Sequence, residues 1–223
     1  MTHQSPARPV NLLITALLLA MITGCGALQP TTVAQPAFYS LDNAYSEQQE
    51  LAHAPATPAA PVPTLIVTPP RAASGFNSQR IVYLRQAHQL EYYAHSEWID
   101  TPARMLAPLI ATAVARRGAY RAVVLTPSAA SGDLRLDTEI VRLQHDLRSQ
   151  PSAVRFTLRA LVVDNGSRQV LARSEFDIAV PVTSEDPYGS VVAANRAVQA
   201  VLEQLAIFCA ETALARPAAT TGR

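Results

Sequence analysis

Lysine is missing altogether: all 18 basic residues are arginine. The chain therefore offers no amine for a Schiff base and no lysine to grip a phosphate. Glycine is scarce. The eight glycines form neither G-x-G-x-x-G nor G-x-x-x-x-G-K-[ST], so the familiar phosphate-cradling loops are excluded. No G-x-S-x-G elbow occurs; Tyr188-Gly189-Ser190 lacks the second glycine and reads as the first turn of a helix. There are only two cysteines, Cys25 and Cys209, and no cysteine pair with metal-ligand spacing. A formal charge of +1 argues against nucleic acid as a partner.

What is present begins at the amino terminus. His3 and Arg8 supply a weakly basic start, and Val10 to Ile22 is almost wholly apolar. That run is about 13 residues, short of the ~20 that a spanning helix needs. Residues 1–24 thus read as a signal peptide. Its small residues Thr23 and Gly24 lead directly into Cys25, in a pattern that resembles the bacterial lipobox. That resemblance implies cleavage before Cys25 and acylation of its sulfur, palmitate included. Cys209 then remains as the one thiol. It falls in an apolar helical pattern and reads as a small buried hydrophobe.

Residues 25–36 make a small-residue tether that reaches at most ~35–40 Å when fully extended. A single domain is expected over 37–216, with a frayed tail over 217–223. Residues 43–63, rich in Ala and Pro, read as a disordered loop outside the core. Strands are expected at 38–42, 64–68, 121–125, 134–143, 154–162 and 170–180, and a hairpin at 79–84 and 89–95. The apolar parity changes between Leu134-Leu136-Thr138-Ile140 and Val141-Leu143, which predicts a bulge near Ile140. Asp164-Asn165-Gly166-Ser167 predicts a turn in which Asn-Gly takes positive φ.

Two helices complete the pattern. The first spans 102–117, capped by Asp100 or Thr101 and ended by Gly118, with a kink or break expected at Pro108. The second opens at Asp186-Pro187 and places Val191, Ala194, Val198, Val201, Leu205, Phe208 and Thr212 on one stripe. The expected fold class is α+β: a mainly antiparallel sheet with two amphipathic helices packed on one face.

No chemistry-bearing constellation emerges from the domain. His53, His88, His95 and His145 read as exposed strand and loop residues with no metal spacing, and Glu91, Glu97 and Asp100 as a solvated strand edge and a helix cap. No cofactor or metal is expected, and the chain reads as non-enzymatic. Aromatic residues are concentrated instead: Tyr83, Tyr92, Tyr93 and Trp98 form the candidate partner-binding surface. Strand alternation sends Tyr92 and Tyr93 to opposite faces, one toward the core and one toward the surface. A competing reading packs Trp98 and one tyrosine into the corner between hairpin and helix.

In order along the chain stand the lipobox at Cys25, Phe38-Tyr39-Ser40-Leu41, a proline-rich loop, and Ile81-Val82-Tyr83 followed by Leu90-Glu91-Tyr92-Tyr93. Trp98-Ile99-Asp100-Thr101-Pro102, Gly118-Ala119-Tyr120 and a long amphipathic helix follow. This array resembles the ABC-type transport auxiliary lipoproteins, including the PqiC-like lipoproteins of MCE-type lipid transport systems. The resemblance implies a non-enzymatic accessory subunit that binds an MCE-domain transporter subunit and is held to a membrane by acylated Cys25. The system would move phospholipid or sterol-like lipid between inner and outer membranes, and family analogy extends to homo-oligomers. Gly26 follows Cys25 where an Asp would retain an enteric lipoprotein in the inner membrane, so the periplasmic face of the outer membrane is expected. An alternative is a periplasmic lipoprotein that holds lipid itself between sheet and helices.

Overall fold

The computed structural model describes residues 35–42 and 62–215. The signal peptide, Cys25, most of the tether, the tail beyond Ala215 and residues 43–61 of the expected loop lie outside the described residues. Nine strands and two helices follow in the order β1 (Ala37–Tyr39), β2 (Thr64–Val67), β3 (Arg71–Ala72), β4 (Arg80–Leu84), β5 (Glu91–Trp98), α1 (Pro102–Ala115), β6 (Ala122–Leu125), β7 (Leu134–Asp146), β8 (Ala153–Asp164), β9 (Val170–Pro181) and α2 (Pro187–Ala215).

The sheet is built on β7. One flank pairs antiparallel with β8 from Leu134↔Asp164 to Asp146↔Ala153. The other flank takes β2, β3 and β4 end to end, all parallel to β7, through Leu65↔Leu134, Arg71↔Glu139 and Val82↔Gln144. Beyond these, β6 pairs parallel with β2, β5 antiparallel with β4, and β1 parallel with β5. The α+β class therefore stands, but the sheet is mixed and not mainly antiparallel. The parallel partners are remote in sequence, so no local turn signal announces them. Pro69-Pro70 separates β2 from β3 because neither residue can donate to the ladder.

A register shift falls between Ile140 and Arg142, where the parity changes. It lets Leu136, Ile140, Leu143 and His145 all be buried along one strand. The turn after β8 differs from expectation. The left-handed residue is Arg168 (φ 61°), not Asn165 or Gly166. Asn165 instead bonds the neighbouring loop, its backbone N–H to the Asp133 carbonyl (3.0 Å) and its side chain to the Gly132 carbonyl (2.8 Å).

Helix α1 runs unbroken through Pro108, so the expected break does not occur. Pro108 and Arg104 are both exposed, so the Arg104 carbonyl that loses its helical donor is open to water. Thr101 is the N-cap without a side-chain cap bond; Asp100 accepts the Thr101 N–H and pairs with Arg104 at 3.1 Å. Gly118, at φ +67°, follows the last turn. Helix α2 packs against β8, β9 and α1. It is long and apolar enough to cross a membrane by composition. Val191, Ala194, Val198, Val201 and Leu205 of its stripe are buried, as is Cys209, whose thiol is pushed up to about 12 by burial.

The start of α2 is fixed by Asp186, whose Oδ1 accepts the Gly189 N–H at 2.7 Å. A Cβ at Gly189 would collide with the Ser184 backbone carbonyl. Gly189→Ala should therefore destabilise the fold by about 1–3 kcal/mol despite alanine's better helix propensity. A urea midpoint at or above that of the unsubstituted chain would contradict this close approach.

Candidate functional site

The aromatic residues gather on the β4–β5 hairpin, which turns through His88 in the left-handed region (φ 67°). Between Arg80↔Glu97 and Val82↔Tyr92 the register shifts, so β5 carries extra residues against β4. The bulge redirects the side chains of the strand.

Tyr83 is buried at 8% exposure, and its hydroxyl donates to Glu91 Oε2 at 3.0 Å. Arg85 lies 5.0 Å from the Tyr83 ring centre and 3.7 Å from Glu91. Burial, with help from the Glu91 hydrogen bond, raises the Tyr83 pKa. The Tyr93 ring packs on Tyr83 with centres 4.7 Å apart. Its hydroxyl lies 2.9 Å from His145 Nδ1. Burial, then the neighbouring Tyr83 and Asp186, push Tyr93 up to about 12.

Tyr92 takes a different environment. It is half-buried, and Arg80 sits 5.0 Å from its ring centre, within cation–π range. Arg80, Tyr92, Tyr93, Ala94 and Glu97 line an open recess of about 340 Å³. Trp98 is 3% exposed and belongs to the core, in register with Tyr39 of β1. The four candidates thus separate. Tyr92 and Tyr93 border a recess, whereas Trp98 and Tyr83 are internal and present almost no area to a partner.

His145 corrects the reading of the histidines as exposed. It is 1% exposed, and its Nε2 has no hydrogen-bond partner. The signal for it was the parity change: once Leu143 points inward, His145 two residues on must follow. His88 and His95 are exposed as expected. Burial lowers the His145 pKa, against the opposing pull of Glu185 and Asp146. Tyr93 is half-buried and His145 fully buried, so the Tyr93–His145 contact ties the hairpin to the core face of β7. No group of three or more His, Cys, Asp or Glu residues able to hold a metal occurs among the described residues.

A family model described as "ABC-type transport auxiliary lipoprotein component" matches residues 39–206. A crystal structure of a protein from Xanthomonas campestris is similar over 71% of this chain and 90% of its own, at 25% identity and TM-score 0.64. A second crystal structure, of an uncharacterised protein, covers 78% of this chain and 99% of its own at 12% identity and TM-score 0.59, a likeness of fold alone. A PelC dodecamer from Paraburkholderia phytofirmans is a looser match, at 11% identity and TM-score 0.43 over 66% of this chain and 90% of its own. No curated protein sequence matches this chain.

The buried histidine sets a pH dependence. Its folded pKa lies below the unfolded value of about 6.5, so the unfolded chain takes up the proton first as pH falls. Its contribution is fully present above about pH 6.5 and is lost progressively below it. Thermal unfolding measured between neutral and mildly acidic pH should show this fall, and a His145→Gln chain should show less of it. Tyr93→Phe leaves Nδ1 without its partner and should cost about 1–3 kcal/mol at neutral pH. An unchanged midpoint would remove this tie from the account of the hairpin.

Proposed function

Because the chain belongs to the family of ABC-type transport auxiliary lipoprotein components, we propose that it is the non-enzymatic accessory lipoprotein of an MCE-type lipid transporter. The observation behind this reading is the family match, which runs from β1 into α2. In this role Cys25 is acylated and holds the domain at the periplasmic face of the outer membrane. The anchor confines the domain near its partner and raises the effective concentration there without any added contact. One acyl chain gives only marginal attachment, and two or more give stable attachment.

The MCE-domain subunit is proposed to meet the recess beside Tyr92. Arg and Tyr are among the residue types that most often dominate an interface, and here exposed Arg80 and half-buried Tyr92 lie together in a cation–π pair. Charged Arg80 and Glu97 in its lining suit a polar protein surface better than an acyl chain. The mixed arginine and carboxylate pairs on β7, β8 and β9 (Arg159 with Glu139 and Glu175, Arg155 with Asp177) leave no single-sign field there to draw a polyanion.

Two measurements test the reading. Cys25→Ala should release the chain from the membrane fraction or leave it unprocessed; wild-type sedimentation with no palmitate label in either form would overturn the anchor. Capture of the MCE-domain subunit by the full acylated chain should weaken at least about tenfold on Tyr92→Ala, with thermal unfolding unchanged. Equal capture by both chains would move the contact elsewhere, and no capture by the unsubstituted chain would remove the MCE partnership.

A further inference from the structure

The described domain begins with a three-residue edge strand, β1, which carries an exposed phenylalanine. β1 stands at the end of the strand order, with β5 as its one neighbour. Tyr39 aligns with buried Trp98, and the Ile99 N–H donates to the Tyr39 carbonyl at 2.8 Å. Phe38 aligns with Glu97, so alternation places Phe38 and Ile99 together on the side opposite Tyr39 and Trp98. Both are open: Phe38 is 58% exposed and Ile99 61%. On the other side of the strand, Tyr188 from the first turn of α2 packs on Tyr39 at 6.5 Å and is itself 63% exposed. Exposed large side chains thus flank this sheet edge on both sides, Phe38 and Ile99 on one and Tyr188 on the other.

Isolated exposed hydrophobes need no explanation, but a cluster of them marks a contact surface. Its place in the chain indicates the occupant. Ala37 follows Cys25 by only twelve positions, a span of at most ~40–45 Å when fully extended. The rim is therefore the part of the fold joined most directly to the proposed anchor. The residue types also fit: Phe and Ile bury apolar area, while Tyr places its ring at headgroup level with its hydroxyl in water. Nearby charge is mixed, with Asp42, Glu97 and Asp100 beside Arg80 and Arg104. Such a rim has no basic cluster to select anionic lipid.

We propose that Phe38, Ile99 and Tyr188 form a membrane-seating rim that dips into the interface of the bilayer to which Cys25 is anchored. This inference rests on the lipoprotein reading and adds an orientation to it. Anchoring makes weak seating sufficient: burying one such side chain favours the seated state by roughly tenfold. Because apolar burial drives the contact, high salt leaves it in place. The domain then stands with β1 toward the membrane.

The test uses the full acylated chain in membranes, with Phe38→Cys or Ile99→Cys carrying a nitroxide. Buried Cys209 does not compete for the label. Glu203→Cys, exposed on α2, is the comparison site. At positions 38 and 99, accessibility to oxygen should exceed accessibility to a water-soluble relaxant, in low and high salt alike, and the ratio should invert at position 203. A chain that sediments with membranes but shows the aqueous ratio at 38 and 99 overturns the rim and leaves the anchor standing. Exclusion of both relaxants there also overturns it, since it means that protein covers the rim: the transporter subunit, a second copy or residues 43–61. A chain that does not sediment overturns anchor and rim together.

Discussion

Everything in this fold depends on the pairing of β7 with β8. These long strands hold each other from end to end, and every other strand reaches the sheet through them. The bulge between Ile140 and Arg142 is the constraint within that pairing. A regular strand would turn Leu143 and His145 outward if it kept Leu136 and Ile140 inward. The extra residue resets the alternation, so one strand can supply core residues to both ends of the domain. The free flank of β7 is also long enough to receive β2, β3 and β4 in succession, and the aromatic hairpin hangs from the last of them.

The features that could be read from the chain are those written in local spacing. The parity change at Ile140 placed the bulge, Asp186-Pro187 placed the start of α2, and the spacing of Val191 through Leu205 placed its buried stripe. The mixed character of the sheet was hidden, because Leu65 meets Leu134 and Val82 meets Gln144 through pairings that leave no local signature. The turn after β8 was read for the right residues and the wrong conformation. Asn165 is engaged with Gly132 and Asp133, so the left-handed bend passes to Arg168.

The aromatic group shows the same division. Sequence spacing collected Tyr83, Tyr92, Tyr93 and Trp98, but it could not rank their exposure. That depends on a bulge in β5 and on which element covers the hairpin. Trp98 packs inside, Tyr83 is sealed by Glu91 and Arg85, and Tyr93 is drawn to a histidine far along the chain. Tyr92 is left with an exposed arginine for company. Periodicity reports that a side chain leaves a strand on a given side; three-dimensional neighbours decide whether that side is interior.

The segment after β1 has a consequence of its own. Asn195 of α2 accepts the Asp42 N–H at 2.9 Å and donates to the Ser40 carbonyl and to the Val191 carbonyl, each at 3.1 Å. Leu41 between them is buried. A pull applied at the amino-terminal end of the domain first meets the short β1–β5 pairing, then the plug formed by Leu41 and the Asn195 clamp, which passes the load to the side of a 29-residue helix. The domain is built like a buoy whose mooring eye is bolted to a beam: a tug on the line strains the fitting before it strains the hull.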